Sequence, residues 1–154
     1  MKSATVTRSS TLHAPPGEVW LHATSLDGIH RELSPWMRMT APAEARGLSL
    51  DGAQVPLGEP LFTSWILLLG FFPVERMRLT LVELEPGRRF VEQSGTTFMR
   101  LWRHERTVEA APAGCTITDK LTLAAPLVLF TPLVAKLIGY FFNHRHRRLR
   151  RLFN

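Results

Sequence analysis

The side chains of this sequence best placed to do chemistry are His104, Arg106 and Asp119, with Glu92 and Arg100 as a further charged pair. His104 and Arg106 occupy alternate positions, so on a strand they point to one side. If the turn Ala111–Gly114 pairs Ala110 with Cys115, then Val108 faces Ile117, Arg106 faces Asp119, His104 faces Leu121 and Trp102 faces Leu123. A three-residue turn at Gly95–Thr97 would set Phe90 opposite Trp102 and Glu92 opposite Arg100. This face holds most of the apolar members and is assigned inward, as a wall of Phe90, Trp102, Val108, Ile117, Leu121 and Leu123 with polar insertions. An imidazole in such a wall can hydrogen-bond a ligand or move a proton, and it serves equally as a bonded core histidine. The pairs Glu92–Arg100 and Arg106–Asp119 can orient a ligand's polar end. As ordinary cross-strand pairs they contribute about 0.2–1 kcal/mol each.

Other chemistries find less support. His144 and His146 fall on different faces of a helix, and His13, His22 and His30 have no acid at metal-binding spacing. Glu18 and His22 form an i,i+4 pair typical of a helix surface. No metal or other cofactor is expected. The glycines between Ala41 and Pro60 do not follow a phosphate-binding pattern. The one cysteine, Cys115, excludes an internal disulfide, has no evident base beside it, and suits a reducing compartment, so a cytoplasmic location is expected. The N-terminal residues show no secretory pattern.

These residues need elements to hold them. Residues 4–13 read as a strand and Pro16–Ser25 as a helix with Val19, Trp20 and Ala23 inward. Asp27 is a candidate cap for a second short helix through Ile29 and Leu33, which Ser34-Pro35 ends. Trp36–Thr40 is a short strand, and Ala41–Pro60 a long loop with a strand fragment around Leu48–Leu50. Strands follow at Leu61–Leu69, Val74–Leu84, Arg89–Ser94, Phe98–Ala110 and Cys115–Leu123. In Val74–Leu84 the apolar parity changes sides, which a bulge would reconcile. From Thr131 as N-cap and Pro132, the positions Val134, Ile138, Phe141, Arg145, Leu149 and Leu152 form one face of a long helix. The order predicts an α+β fold in one domain, residues 1–154: a curved antiparallel sheet wrapped around the C-terminal helix. Ile138 and Phe141 are the helix's expected contribution to a cavity between the two.

The 154 residues are 45% hydrophobic and 21% charged, which excludes a disordered chain and a multi-span membrane protein. The formal net charge is +6, yet residues 144–154 alone supply Arg145, Arg147, Arg148, Arg150 and Arg151 without an acid. That tail is either a solvated helix end favoured by the macrodipole or a patch for an anionic membrane. Nucleic acid lacks a reading motif here. Phe71 and Phe72 form a candidate apolar lip at a cavity mouth. Leu121–Phe142 imitates a membrane span, but Pro126, Pro132 and Lys136 argue against one.

The segments Leu12-His13-Ala14-Pro15-Pro16-Gly17-Glu18-Val19-Trp20, Met99-Arg100-Leu101-Trp102-Arg103-His104-Glu105-Arg106, Cys115-Thr116-Ile117-Thr118-Asp119-Lys120-Leu121 and Phe142–Phe153 resemble, in order, the opening, last two strands and closing helix of the START-related SRPBCC helix-grip superfamily. The likeness is to its polyketide-cyclase/dehydrase-like and lipid-transfer-like members. It implies a helix-grip fold, and the expected cavity with its polar end-groups points to a non-catalytic carrier or sensor for a hydrophobic small molecule (lipid, polyketide or aromatic metabolite). One alternative is a cyclase or dehydratase in which His104 moves a proton. Another is a module that docks on a membrane or partner through the basic helix end. The oligomeric state is left open.

Overall fold

A computed structural model describes residues 2–46, 50 and 55–154. Of the strand fragment expected around Leu48–Leu50, residues 48 and 49 fall outside the described residues, and Leu50 is not in a strand.

The chain opens with strand β1 (Ala4–Leu12), on which Val6, Ser10 and Leu12 are buried while Thr5, Thr7, Ser9 and Thr11 face out. Helix α1 (Pro16–Ala23) begins on its prolines, whose missing amides cost nothing in a first turn, and buries Val19, Trp20 and Ala23. Helix α2 (Leu26–Leu33) is capped by Ser25, not by Asp27: the Ser25 Oγ accepts the Gly28 amide at 3.0 Å. A Cβ on Gly28 would lie 1.8 Å from the His22 carbonyl oxygen, so only glycine lets α2 fold this tightly onto α1.

Strands β2 (Met37–Met39), β3 (Pro60–Leu68), β4 (Phe72–Glu85), β5 (Arg89–Gln93), β6 (Gly95–Thr96), β7 (Leu101–Ala111) and β8 (Gly114–Ala124) complete an eight-stranded antiparallel sheet. Its order is β1-β8-β7-β5-β4-β3-β2, with β6 on β4. The β7–β8 register is the expected one, with Arg106 opposite Asp119 and His104 opposite Leu121. The β4 bulge lies between Leu81 and Glu83, so Met77 and Leu81 are buried before it and Leu84 packs on the core after it.

Between β5 and β7 the expectation fails. Phe90 pairs with Arg106 and Glu92 with His104, not with Trp102 and Arg100. The connection is no three-residue turn: Gly95 and Thr96 leave to pair with Arg78 and Met77 of β4. Arg100 is left exposed before β7, its amide on the Ala124 carbonyl, so the Glu92–Arg100 pair does not form.

Helix α3 (Thr131–Phe153) covers the sheet. Thr131 is its first helical residue rather than its cap, and its hydroxyl accepts the Ala125 amide at 3.1 Å. The helix is also rotated from the expected face. Gly139, Phe142, Arg145, His146 and Leu149 are buried, whereas Phe141 is half-buried against Tyr140 and Leu152 is exposed. Gly139 is the reason: a Cβ there would come 2.9 Å from the Arg8 guanidinium and 3.7 Å from Val6, so the glycine seats α3 on β1.

One apolar core joins Leu12, Val19, Trp20, Phe90, Val108, Ile117 and Leu149, and a smaller one joins Val6, Leu121 and Phe142, with Trp102 and Ile138 packed on its edge. Leu149→Ala is expected to lower unfolding stability by about 2–5 kcal/mol in chemical denaturation. Leu152→Ala, on the outer face, is expected to change it by no more than about 0.5 kcal/mol.

Candidate functional site: a small cavity on a buried ionic network

Arg106 on β7 is fully buried, and so are both its carboxylate partners, Asp119 on β8 and Glu32 on α2. Its Nε and Nη2 donate to Asp119 at 2.7 Å each, and its Nη2 and Nη1 donate to Glu32 at 2.8 and 3.1 Å. Two further groups reach Asp119: His104 Nε2 at 2.7 Å and His146 Nε2 at 2.8 Å. Glu32 also takes Arg145 Nε at 3.2 Å, with His22 Nε2 3.4 Å away. One cation thus ties α2 to the sheet, and its carboxylate partners tie α3 to both.

The charges settle accordingly. Burial alone would raise the Glu32 and Asp119 carboxyls, but Arg106, aided by Arg145 at Glu32, outweighs it and holds both below the usual carboxylate range. Burial would lower His104, yet its hydrogen bond to Asp119 and the Glu92 carboxylate facing its other ring nitrogen overcome that and raise it. Burial lowers Arg145, with Glu32 opposing. A second chain of bonds fixes the sense of donation at His146. Arg150 donates to the Ser10 hydroxyl at 2.8 Å, and Ser10 meets His146 Nδ1 at 2.7 Å. Asp119 only accepts, so His146 carries its proton on Nε2 toward it.

Beside this network lies a cavity of about 110 Å³. Ala23, Leu26 and Ile29 wall it from the helices, Met39 from β2, and Leu61, Phe62, Leu79 and Leu81 from the β3–β4 hairpin. Phe90 closes one side, edge-on to Trp20 and to His104. The polar lining includes Glu92, His104 and Arg145, each buried. An open groove of about 690 Å³ adjoins it, sharing Ala45, Leu61 and Phe62.

Of the residues singled out from sequence, Phe90, Glu92 and His104 line this cavity. Val108, Ile117 and Leu121 lie in closed core, Trp102, Ile138 and Phe141 lie away from it, and Arg106 and Asp119 stand behind His104. Phe71 and Phe72 are exposed at the β3–β4 turn, roughly 20 Å along the strand from Phe62. The basic tail is largely spoken for. Arg145 is buried on Glu32 and cannot meet a membrane, Arg148 donates to the Arg31 carbonyl, and Arg150 donates to Ser10, leaving Arg147 and Arg151 exposed.

Sequence reasoning missed the helical wall, Glu32 and the inward role of Arg145. The signal for Arg145 was present: a cation on the same helical stripe as Ile138 and Leu149. Among the described residues, no group of three or more His, Cys, Asp or Glu is arranged to hold a metal.

A family model described as "Domain of unknown function (DUF8410)" matches residues 10–153. No curated protein matches the sequence. Among solved structures, protein CV1439 from Chromobacterium violaceum superposes with TM-score 0.70 at 13% identity, over 97% of this chain and 96% of that one. The di-domain ARO/CYC StfQ from the steffimycin biosynthetic pathway gives TM-score 0.66 at 9% identity, covering 96% of this chain and 49% of that one. Ara h 8.0201 gives 0.55 at 15% identity, over 96% and 99%. These are likenesses of fold alone: a curled antiparallel sheet with a long C-terminal helix and two short helices after the first strand.

The network makes stability depend on pH in a defined sense. Glu32 and Asp119, depressed from ordinary values of 4.5 and 3.8, stabilise fully above those values, and the contribution is lost as pH falls through the folded ones. His104, raised from 6.5, stabilises fully below that value and loses its contribution as pH rises through the folded one. Thermal melts across pH are expected to show a maximum between about pH 4.5 and 6.5, with the alkaline decline flattened in His104→Gln. Glu32→Gln, which leaves Arg106 and Arg145 short of charge, is expected to cost about 3–5 kcal/mol.

Proposed function

The chain belongs to the family described as "Domain of unknown function (DUF8410)", and from that premise we propose that it is a non-catalytic carrier or sensor for a small hydrophobic molecule. The observation that carries this reading is the set of buried polar groups, Glu92, His104 and Arg145, on one side of an otherwise apolar cavity. A polar cluster in an apolar pocket orients a ligand, while the apolar walls supply its affinity.

Size narrows the ligand. An apolar cavity of about 150 Å³ holds a benzene ring, and this one is about 110 Å³. The ligand's buried part is therefore a single small ring or a short branched chain, and a longer molecule continues past Phe62 into the groove. Of a lipid, a polyketide and an aromatic metabolite, the last fits best. The polar end meets Arg145: its Nε and Nη2 are on Glu32, and its Nη1 has no hydrogen-bond partner among the described residues. The single free cysteine, Cys115, fits a reducing compartment such as the cytoplasm.

A cyclase or dehydratase is the second reading, favoured by a histidine of raised proton affinity at the cavity and by the likeness to an ARO/CYC protein. The orientation of His104 speaks for binding instead. Its Nε2 lies on Asp119 and its Nδ1 faces Glu92 at 3.7 Å, so both ring nitrogens are directed at carboxylates and away from a substrate.

Calorimetry and thermal shift with benzamide, acetophenone and cyclohexanone test the proposal. At least one is expected to bind and raise the Tm of the native protein, and to do neither for Ile29→Trp, whose indole fills the cavity. No binding across the panel, together with no small molecule retained in native mass spectrometry, would overturn it. A His104→Ala variant that binds normally but loses a measured turnover would move the reading to the enzyme.

A further inference from the structure

Helix α3 is inverted for a helix that covers a sheet. Its inner face carries Gly139, Arg145 and His146, while Leu133, Leu137 and Tyr140 on its outer face are 64%, 55% and 50% exposed. Steps of four and three residues place these on one stripe, opposite the buried Phe142 and Leu149. The turn before the helix extends the stripe with Leu129, 85% exposed. Toward the C-terminus the same stripe continues with exposed Arg147 and Arg151, and Lys136 stands beside its apolar half. A contiguous apolar surface of this kind on a folded chain marks an interaction site.

Charge selects the partner. Past Asp119 the chain holds no acidic residue, and Asp119 itself is buried and paired. A second copy meeting it through the same face would bring arginines against arginines or against leucines, with no acid on that face to receive them. A nucleic acid would reward the arginines and leave the leucines in water. An anionic lipid surface takes both, since apolar side chains enter the acyl boundary and arginines meet the headgroups. The β3–β4 turn adds exposed Leu69, Phe71 and Phe72 at the sheet end where β8 stops and α3 starts. No helix among the described residues is long and apolar enough to cross a membrane, so contact is with the surface.

We infer that the outer face of α3 docks the protein on an anionic lipid surface, with the Leu129–Tyr140 half of the stripe inserted and Arg147 and Arg151 on the headgroups. This goes beyond the cavity reading and does not need it. Vesicle co-sedimentation of the full chain, on phosphatidylcholine with and without phosphatidylglycerol, is the experiment. The protein is expected to bind only the phosphatidylglycerol vesicles. That binding should weaken about tenfold in Arg147→Glu/Arg151→Glu and, by removal of insertion, about as much in Leu133→Ser/Leu137→Ser. Added salt should weaken the native protein and have little further effect on the arginine variant. All four positions are exposed, so both variants should keep the native Tm, which checks that lost binding is not lost folding. Equal binding to both vesicle types, equal binding by either double variant, or no binding at all would overturn the inference. So would a dimer in sedimentation equilibrium that Leu133→Ser/Leu137→Ser dissociates while vesicles remain unbound.

Discussion

A guanidinium taken out of water costs several kcal/mol unless charge and hydrogen bonds are returned to it, and Arg106 is completely out of water. The rest of the architecture is arranged to return them. Asp119 arrives from the neighbouring strand by ordinary register, but one carboxylate leaves half the fork unsatisfied. The other half comes from Glu32, far away in sequence, on a helix that must lie across the sheet at one height and one rotation. The Ser25 cap and the glycine approach at Gly28 are local devices that set that pose. The excess negative charge around Arg106 then draws Arg145, His104 and His146 to its edge.

The cavity follows from this arrangement. With α2 pinned through Glu32, the wall of Leu26 and Ile29 stands over β3 and β4 without closing on them. Phe90 fills the space between Trp20 and His104, which leaves the remaining hollow on the hairpin side. Two outer members of the network around Arg106, His104 and Arg145, thus line the pocket, and much of its polarity is a by-product of the fold's internal charge balance. This explains why His104 and Arg145 reach the pocket with hydrogen bonds already made to Asp119 and Glu32.

Local physics was legible in the sequence, and long-range pairing was not. The β7–β8 register could be read because a tight turn and period-two alternation fix it with no outside help. The β5–β7 register could not, because Gly95 and Thr96 take part in a pairing with β4 that nothing in their own neighbourhood announces. The shift was an even number of residues, so Phe90 and Glu92 kept their face while changing partners. Arg106–Asp119 was visible as a cross-strand pair. Its burial was not, since that depends on Glu32, which reads from sequence as one more acid on a short amphipathic helix.

The rotation of α3 shows the limit most directly, because the usual rule pointed the wrong way. A hydrophobic stripe normally marks the buried side of a helix, and here much of the apolar surface is on the outside. The interior asks for something else: a glycine where Arg8 and Val6 press against the backbone, and a cation and an imidazole where Glu32 and Asp119 wait. Once Gly139, Phe142 and His146 are committed inward, 100° per residue leaves Leu133, Leu137 and Tyr140 no other direction than out. Nothing in the fold gains from leucine there, and the last turns of the same stripe carry arginine without difficulty. The inner face of this helix answers to the buried arginine, and its outer face is free of that constraint.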